Sequence, residues 1–300
     1  MVRVAIASYS MAQQAAVLGV HDLLVAAGEF TEPGFEVVIV DQFERPKAFD
    51  VIILPPSMGG WPEGREQAAL CEWITALHST GALVCTVCVG AFILASTGLL
   101  NGRPATTHWE LSEEFSRQFP DVKLEAERLI VDDGDLITAG GMMAWTDLGL
   151  LLIARYLGPA VMQKVAKLFL IDPGGREQSY YNLFTPSLAH GDTQIVKAQQ
   201  WLQGHYRSPV TVPQIASAAG LEERTFLRRF QAATGHRPSE YLQQLRIGQA
   251  RELLELTRDN IGQIAAAVGY ADISSFSKLF QKITGLAPGE YRKRFALVRR

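Results

Sequence analysis

The stretch IASAAGLEERTFLRRFQAATGHRPSEY (residues 215–241) returns, altered but in register, as IAAAVGYADISSFSKLFQKITGLAPGEY (residues 264–291). Ile215-Ala216 through Gly220 matches Ile264-Ala265 through Gly269 at an offset of 49. Phe226, Phe230, Thr234-Gly235, Pro238 and Glu240-Tyr241 then match Phe276, Phe280, Thr284-Gly285, Pro288 and Glu290-Tyr291 at an offset of 50. The one-residue slip falls in a turn, where an insertion costs least. Two copies are too few for a solenoid, which needs about three, so the stretch reads as a duplicated module. Each copy has a short helix with small residues on its packing side, a glycine turn and a second helix, which is the helix-turn-helix layout.

In the second helix of the first copy, Phe226 and Phe230 are four apart and share the buried face. Arg224, Thr225, Leu227 and Arg228 are then the candidate DNA contacts. Two arginines one turn apart suit phosphate pairing and bidentate contact to guanine edges. In the second copy Phe276 and Phe280 are buried, and Ile273, Ser274, Ser277 and Lys278 form the matching outer face. A merely solvated helix carries such residues too; their recurrence in two copies favours the DNA reading. Between the copies, residues 239–256 read as an amphipathic helix with Tyr241, Leu242, Leu245, Leu253 and Leu254 inward and Arg246 and Arg251 outward. At about 1.5 Å per residue it would hold the copies roughly one DNA turn, 34 Å, apart.

Charge follows the same division. Residues 1–185 carry 12 Lys and Arg against 22 Asp and Glu, a balance of −10, whereas residues 186–300 carry 16 against 9, a balance of +7. Only the C-terminal part is suited to a polyanion.

Upstream, short β-branched runs alternate with helical patterns. Residues 2–8, 35–40, 51–54 and 82–87 read as buried strands, and 15–27, 66–78 and 91–99 as helices. Residues 129–131 and 136–138 flank Asp132-Asp133-Gly134-Asp135 as a hairpin, and helices at 146–156 and 161–169 follow. This alternation implies an α/β sandwich with a mostly parallel sheet. Periodicity fails across Pro173-Gly174-Gly175, Thr185-Pro186 and Gly191-Asp192. The expected organisation is therefore a domain over 1–172, a linker over 173–192 and an all-helical domain over 193–300. Three cysteines, Cys71, Cys85 and Cys88, suit a reducing compartment better than a disulfide scaffold. The opening residues run straight into a strand pattern with no signal-peptide regions, and no apolar stretch suits a membrane span, so a cytoplasmic location is expected.

Thr86-Val87-Cys88-Val89-Gly90 sits at a strand-to-helix junction like a nucleophile elbow. The thiolate would need a base, a cation or a helix N-terminus beside it. The helix beginning near Gly90 offers the last of these, and His108 with Glu110 a base and its orienting acid. A ligand pocket is expected at the C-terminal ends of the strands, formed by Tyr9, Met58, Trp61, Cys88, Val89, His108 and Trp109, with Ser57, Gly59, Gly140 and Gly141 nearby. Trp61, Trp109 and Trp145 could form an aromatic cage for a cationic, nitrogenous ligand, or could simply be core. No metal-ligand spacing, phosphate loop or other cofactor motif is present.

Residues 221–230, Thr234 to Pro238, Arg246 to Leu254, Ile264 to Tyr270, Phe276 to Phe280 and Gly285 to Pro288 resemble the AraC/XylS family DNA-binding domain. Residues 86–109 resemble the class I glutamine amidotransferase-like superfamily, in its PfpI/ThiJ branch, and more narrowly the form fused to AraC-type domains. The resemblance implies a flavodoxin-like α/β sandwich joined to an all-α double helix-turn-helix domain. It further implies promoter DNA, a small-molecule effector and RNA polymerase as partners, a homodimer, and a transcription activator controlled by a metabolite. Glu222 departs from the family's small polar cap, and with Glu223 it would repel phosphate, so weaker docking of the first copy is expected. The branch's catalytic machinery is incomplete: Val89 stands where peptidase-like relatives place a His, and Ser8 to Ala16 holds Gln13 and Gln14 but no acid. No catalytic residue is therefore assigned and no enzyme is expected. The alternative, a cysteine-dependent amidase or peptidase-like hydrolase with a DNA-binding tail, stays open on the sequence.

Overall fold

A computed structural model describes residues 1–43 and 48–297, which form two compact units, Met1–Gln178 and Ser179 onward. The first unit runs β1 (Val2–Ala7), α1 (Gln14–Ala27), β2 (Phe35–Val40), β3 (Val51–Leu54), α2 (Gly64–Ser79), β4 (Leu83–Val87), α3 (Gly90–Ser96), β5 (Pro104–Ala105), α4 (Ser112–Gln118), β6 (Lys123–Leu124), β7 (Ile130–Asp132), β8 (Leu136–Ala139), α5 (Trp145–Leu157) and α6 (Pro159–Leu168). The second runs α7 (Thr193–His205), α8 (Val212–Ala219), α9 (Glu223–Thr234), α10 (Pro238–Leu256), α11 (Ile261–Ala267), α12 (Ile273–Thr284) and α13 (Pro288–Phe295).

Six strands form one sheet in the order β2-β1-β3-β4-β8-β7. All pairs are parallel except the β7–β8 hairpin. Every residue of β3, β4 and β8 is buried, as expected of central strands covered on both faces. This is the flavodoxin-like arrangement anticipated above. Helices α1, α5 and α6 pack together, as do α2 and α3. The α1–α5 crossing is close because it is built on glycine. A Cβ on Gly19 would lie 2.5 Å from the Trp145 ring, and one on Gly149 would lie 2.4 Å from Leu23.

The second unit has two small cores threaded by α10. One holds Ile195, Ile215, Phe226, Phe230 and Tyr241; the other holds Ile247, Ile264, Phe276, Phe280 and Tyr291. The duplication is exact enough in geometry to superpose its ring contacts. Phe230 meets Tyr241 edge-on at 5.2 Å and 82°, and Phe280 meets Tyr291 at 5.4 Å and 83°.

One expectation for α10 is corrected. Arg251 does not point outward: it is 3% exposed, and its guanidinium donates to the carbonyls of Asn182 and, at 3.0 Å, Ser179. It falls in the stripe Ile247, Ala250, Arg251, Leu254, which the helical period turns to the core. Arg246 is half-buried, donates to the carbonyls of Tyr206 and Ser208 at 2.7 and 2.9 Å, and stacks on Tyr270. Both arginines hold the unit together through carbonyl oxygens.

The segment 173–192 is shared between the units. Gln178 closes the first, and Asp192 caps α7 in the second by accepting from Ile195 N–H at 3.2 Å. The last three residues of the 193–300 domain lie outside the described residues.

Candidate functional site

On α9, Phe226 and Phe230 are fully buried, Arg224, Leu227 and Arg228 are exposed, and Thr225 is half-buried. A third arginine, Arg229, is engaged within the unit: Asp192 accepts from its Nε and Nη2 at 2.9 and 2.7 Å, and Gln194 from Nη1 at 2.6 Å. That bidentate pair holds the Asp192 carboxyl below the usual range. Arg224 and Arg228 have no hydrogen-bond or ion-pair partner among the described residues. Both stand on the exposed face of α9.

On α12, Ile273, Ser274 and Lys278 are exposed and Ser277 is half-buried. The two helix starts differ. Asp272 caps α12, accepting from Ser274 and Ser275 N–H at 3.3 and 2.7 Å, and the Ser275 hydroxyl, together with these bonds, lowers its carboxyl pKa. Glu222, at the corresponding position of α9, makes no side-chain cap. The shorter Asp side chain reaches back to the first turn; the Glu there does not.

In the first unit, the elbow is real. Cys88 has φ +55°, a left-handed conformation rare outside glycine. Its N–H donates to Ala139 O at 2.6 Å, and Thr107 Oγ1 donates to its carbonyl at 2.9 Å. Gly90 lets the turn close, since a Cβ there would lie 2.8 Å from Leu54 O. The electrostatics do not match a nucleophile. Burial pushes the Cys88 thiol up to about 11, against the lowering effect of a hydrogen bond from Val89 N–H. His108, half-buried and with its pKa lowered by burial, accepts from Glu110 N–H through Nδ1 at 3.2 Å. The Glu110 contact to the ring is thus through its backbone.

The remaining expected pocket residues are dispersed in environment. Tyr9 is buried and donates to Pro55 O, Val89 is buried, and Met58 is 64% exposed. The three tryptophans form no cage: Trp61 stacks on Phe92 at 4.4 Å, Trp109 leans on His108 at 5.5 Å, and Trp145 covers Gly19 on α1. Trp145 opens α5 and so belongs to the α1–α5 contact. Among the described residues no cluster of His, Cys, Asp or Glu is arranged to hold a metal ion, and no helix is long and apolar enough to cross a membrane.

Gln178, which the sequence left in a linker, occupies ground beside this strand edge. It is 2% exposed. Its Nε2 lies 2.8 Å from Thr107 O, 2.9 Å from Arg128 O and 3.1 Å from both Ala126 O and Thr106 Oγ1. Its Oε1 accepts from Trp109 N–H at 3.1 Å. Gly140 makes room, because a Cβ there would lie 2.0 Å from Nε2. Glu66, also unanticipated, accepts from Ser10 N–H and Oγ at 2.8 and 2.6 Å. No periodicity marks either residue.

The state of Cys88 is checked by alkylation. Two pKa units above an ordinary thiol at 9.0 leave about 100-fold less thiolate at pH 8. Iodoacetamide should therefore modify Cys88 in the folded chain at least about 100-fold more slowly than after unfolding, as read by peptide mass spectrometry, with the rate rising toward pH 11. Rapid modification at pH 7 would contradict the assignment.

Comparison with known proteins agrees with this division. Residues 215–294 match the family described as Helix-turn-helix domain, and residues 21–155 match the DJ-1/PfpI family. The HTH-type transcriptional regulator CdhR of Pseudomonas aeruginosa is 29% identical over 75% of this chain and 67% of its own length. The HTH-type transcriptional regulator ArgR of the same organism is 29% identical over 72% and 66%. The chain thus spans about two thirds of the length of the curated relatives it matches. A crystal structure of an AraC family transcriptional regulator from Pseudomonas putida covers 56% of this chain and all of its own, with 17% identity and a TM-score of 0.47.

Proposed function

From a chain that joins a DJ-1/PfpI-family domain to an AraC-type helix-turn-helix domain, we infer a DNA-binding transcription regulator whose first unit receives a small-molecule effector. The carrying observation is the duplicated pair α8–α9 and α11–α12. It leaves Arg224, Leu227 and Arg228 on one second helix, and Ile273, Ser274 and Lys278 on the other, exposed beside fully buried phenylalanines. Thr225 and Ser277 complete the two proposed contact faces. Placed in the major groove, such helices read base edges through their N-terminal halves.

The finer reading has the chain acting in the cytoplasm as an activator and as a homodimer on promoter DNA, with RNA polymerase as its onward partner; it rests on the family resemblance. The effector is proposed as small, without the cationic character that an aromatic cage would have selected. Coupling requires that it bind two states of the chain unequally. Cys88 has no catalytic role in this reading: its thiol is buried, pushed up by that burial, and its sulfur lies 3.8 Å from Met142 Sδ, with no hydrogen-bonded base or cation among the described residues to activate it.

The test is Arg228→Ala. On a site selected by the wild-type chain it should lose about 1–3 kcal/mol, or roughly 5- to 150-fold in Kd, and relax preference at one base position. Competition binding at fixed salt against a scrambled duplex measures this. An equal loss on both duplexes would make Arg228 a phosphate contact only, and no loss would remove it from the interface.

A further inference from the structure

The first unit contains a cavity of about 300 Å³, on the far side of α5 from its contact with α1. Its apolar walls come from Ile130 on β7, Leu150, Leu151 and Ala154 on α5, and Met162 on α6. Its remaining wall is the strap Pro173–Glu177, the last segment before Gln178.

The charges at this cavity are mutually satisfied. Arg176 donates from Nε to Asp147 Oδ1 at 3.2 Å and from Nη2 to Oδ2. Asp147 is only 9% exposed. Arg128 lies 3.6 Å from Glu177, whose Oε2 also accepts from Leu129 N–H at 2.8 Å. An anionic or cationic guest would have to break one of these pairs and leave its partner uncompensated, which is costly in a partly desolvated site. An uncharged molecule with an apolar body keeps both pairs and gains the apolar contact area. The volume is at the lower end of ligand pockets, which limits the guest to a small molecule.

We propose that this cavity is the effector site of the regulator, and that it takes an uncharged, mostly apolar small molecule with a single hydrogen-bonding group such as a hydroxyl. The proposal rests on the regulator reading above and gives that reading a location. The strap that forms one wall also runs through Gln178 into the second unit. A guest that packs against the strap therefore acts on the one covalent path between sensing and DNA-binding parts.

The probes are 1-hexanol and cyclohexanol, with hexanoate and hexylamine as charged controls of matched chain length. They are titrated into the full chain while thermal unfolding is followed. Ligands of the native state raise its melting temperature, and the rise continues with the logarithm of ligand concentration above Kd. The expected result is a rise of about 2 °C or more with the alcohols, growing with the logarithm of their concentration, and none with the ions. Ala154→Phe, which fills the cavity from α5, should abolish the rise while its own Tm stays near wild type. Met162→Trp fills it from the opposite wall and serves if Ala154→Phe fails to fold. No rise with either alcohol overturns the proposal. So does a rise that survives a folded blocking variant, which would put the guest elsewhere, for example at the strand edge around Trp61 and Trp109. Equal rises with hexanoate or hexylamine also overturn it. Selection of specific sites from fragmented genomic DNA is measured in parallel, with and without the alcohols and a metabolite extract, and its absence under all of these conditions would sink the regulator reading independently.

Discussion

Phe280→Ala should destabilise the second unit by about 3–5 kcal/mol, enough to unfold much of it at ordinary temperature and to abolish specific DNA binding. Phe280 is fully buried, lies 5.7 Å from Phe276, and meets Tyr291 edge-on at 5.4 Å. The core it anchors is small, made from half of α10 with α11, α12 and α13, so few other side chains can collapse into the space. Beyond the lost transfer energy, the edge-to-face pair contributes about 0.5–1.5 kcal/mol. Phe230→Ala, its counterpart, should cost a similar amount because its surroundings repeat the same geometry. Urea denaturation followed by far-ultraviolet circular dichroism gives the loss directly. A cost below about 1 kcal/mol at both positions would mean that these rings do not anchor the two modules.

Gln178→Ala should cost the first unit about 2–4 kcal/mol. The side chain is enclosed by the carbonyls of Thr107, Ala126 and Arg128, the Thr106 hydroxyl and the Trp109 N–H. Removing it leaves a buried donor and several acceptors facing an empty space, since Gly140 has no side chain to fill it. Gln178→Glu is the sharper version. It keeps the shape but replaces the donor with a carboxylate facing carbonyl oxygens. Such a group has a raised folded-state pKa, so the variant should be least damaged at low pH and lose stability as pH rises through that value. The two variants are compared by thermal unfolding at pH 5 and pH 8. Equal stability of Gln178→Glu at both would show that the carboxamide donor is not essential.

Most of the fold was legible because its signals are local. The buried strand β3 is an unbroken apolar run, and β4 is interrupted only by Thr86. The repeat at offsets of 49 and 50 marks both helix-turn-helix copies through matched Ile-Ala, Phe, Thr-Gly, Pro and Glu-Tyr positions. The outer faces of α9 and α12 followed from helical period, and Arg224, Arg228 and Lys278 are exposed as that period requires. What the period could not separate was Arg229, which is bound by Asp192 thirty-seven positions earlier. Arg251 was misplaced because charge was allowed to outweigh spacing: it falls between Ala250 and Leu254, on the buried stripe.

The candidate site of the first unit was the least legible part, because its features depend on distant segments meeting. The elbow at Cys88 was recognisable from Gly90 and the strand before it, but its electrostatics were not. Burial, which no motif encodes, raises the thiol despite a nearby helix start. The aromatic cage failed because three tryptophans far apart in sequence carry no information on which neighbours they face. Arg176, Glu177 and Gln178 lie in a stretch rich in glycine and proline that reads as connector. Their partners, Asp147, Leu129 and Thr107, sit up to about 70 residues away.

The central claim is that two helix-turn-helix copies read DNA together. The purified full chain is incubated with fragmented genomic DNA of its own source at stated salt, and bound fragments are recovered, sequenced and footprinted. A few strongly enriched sites are expected, each protected at two segments about one helical turn apart, with the footprint at one segment weakened by Arg228→Ala. Fragments bound without enrichment, with affinity that falls with salt equally on all sequences, would contradict the claim.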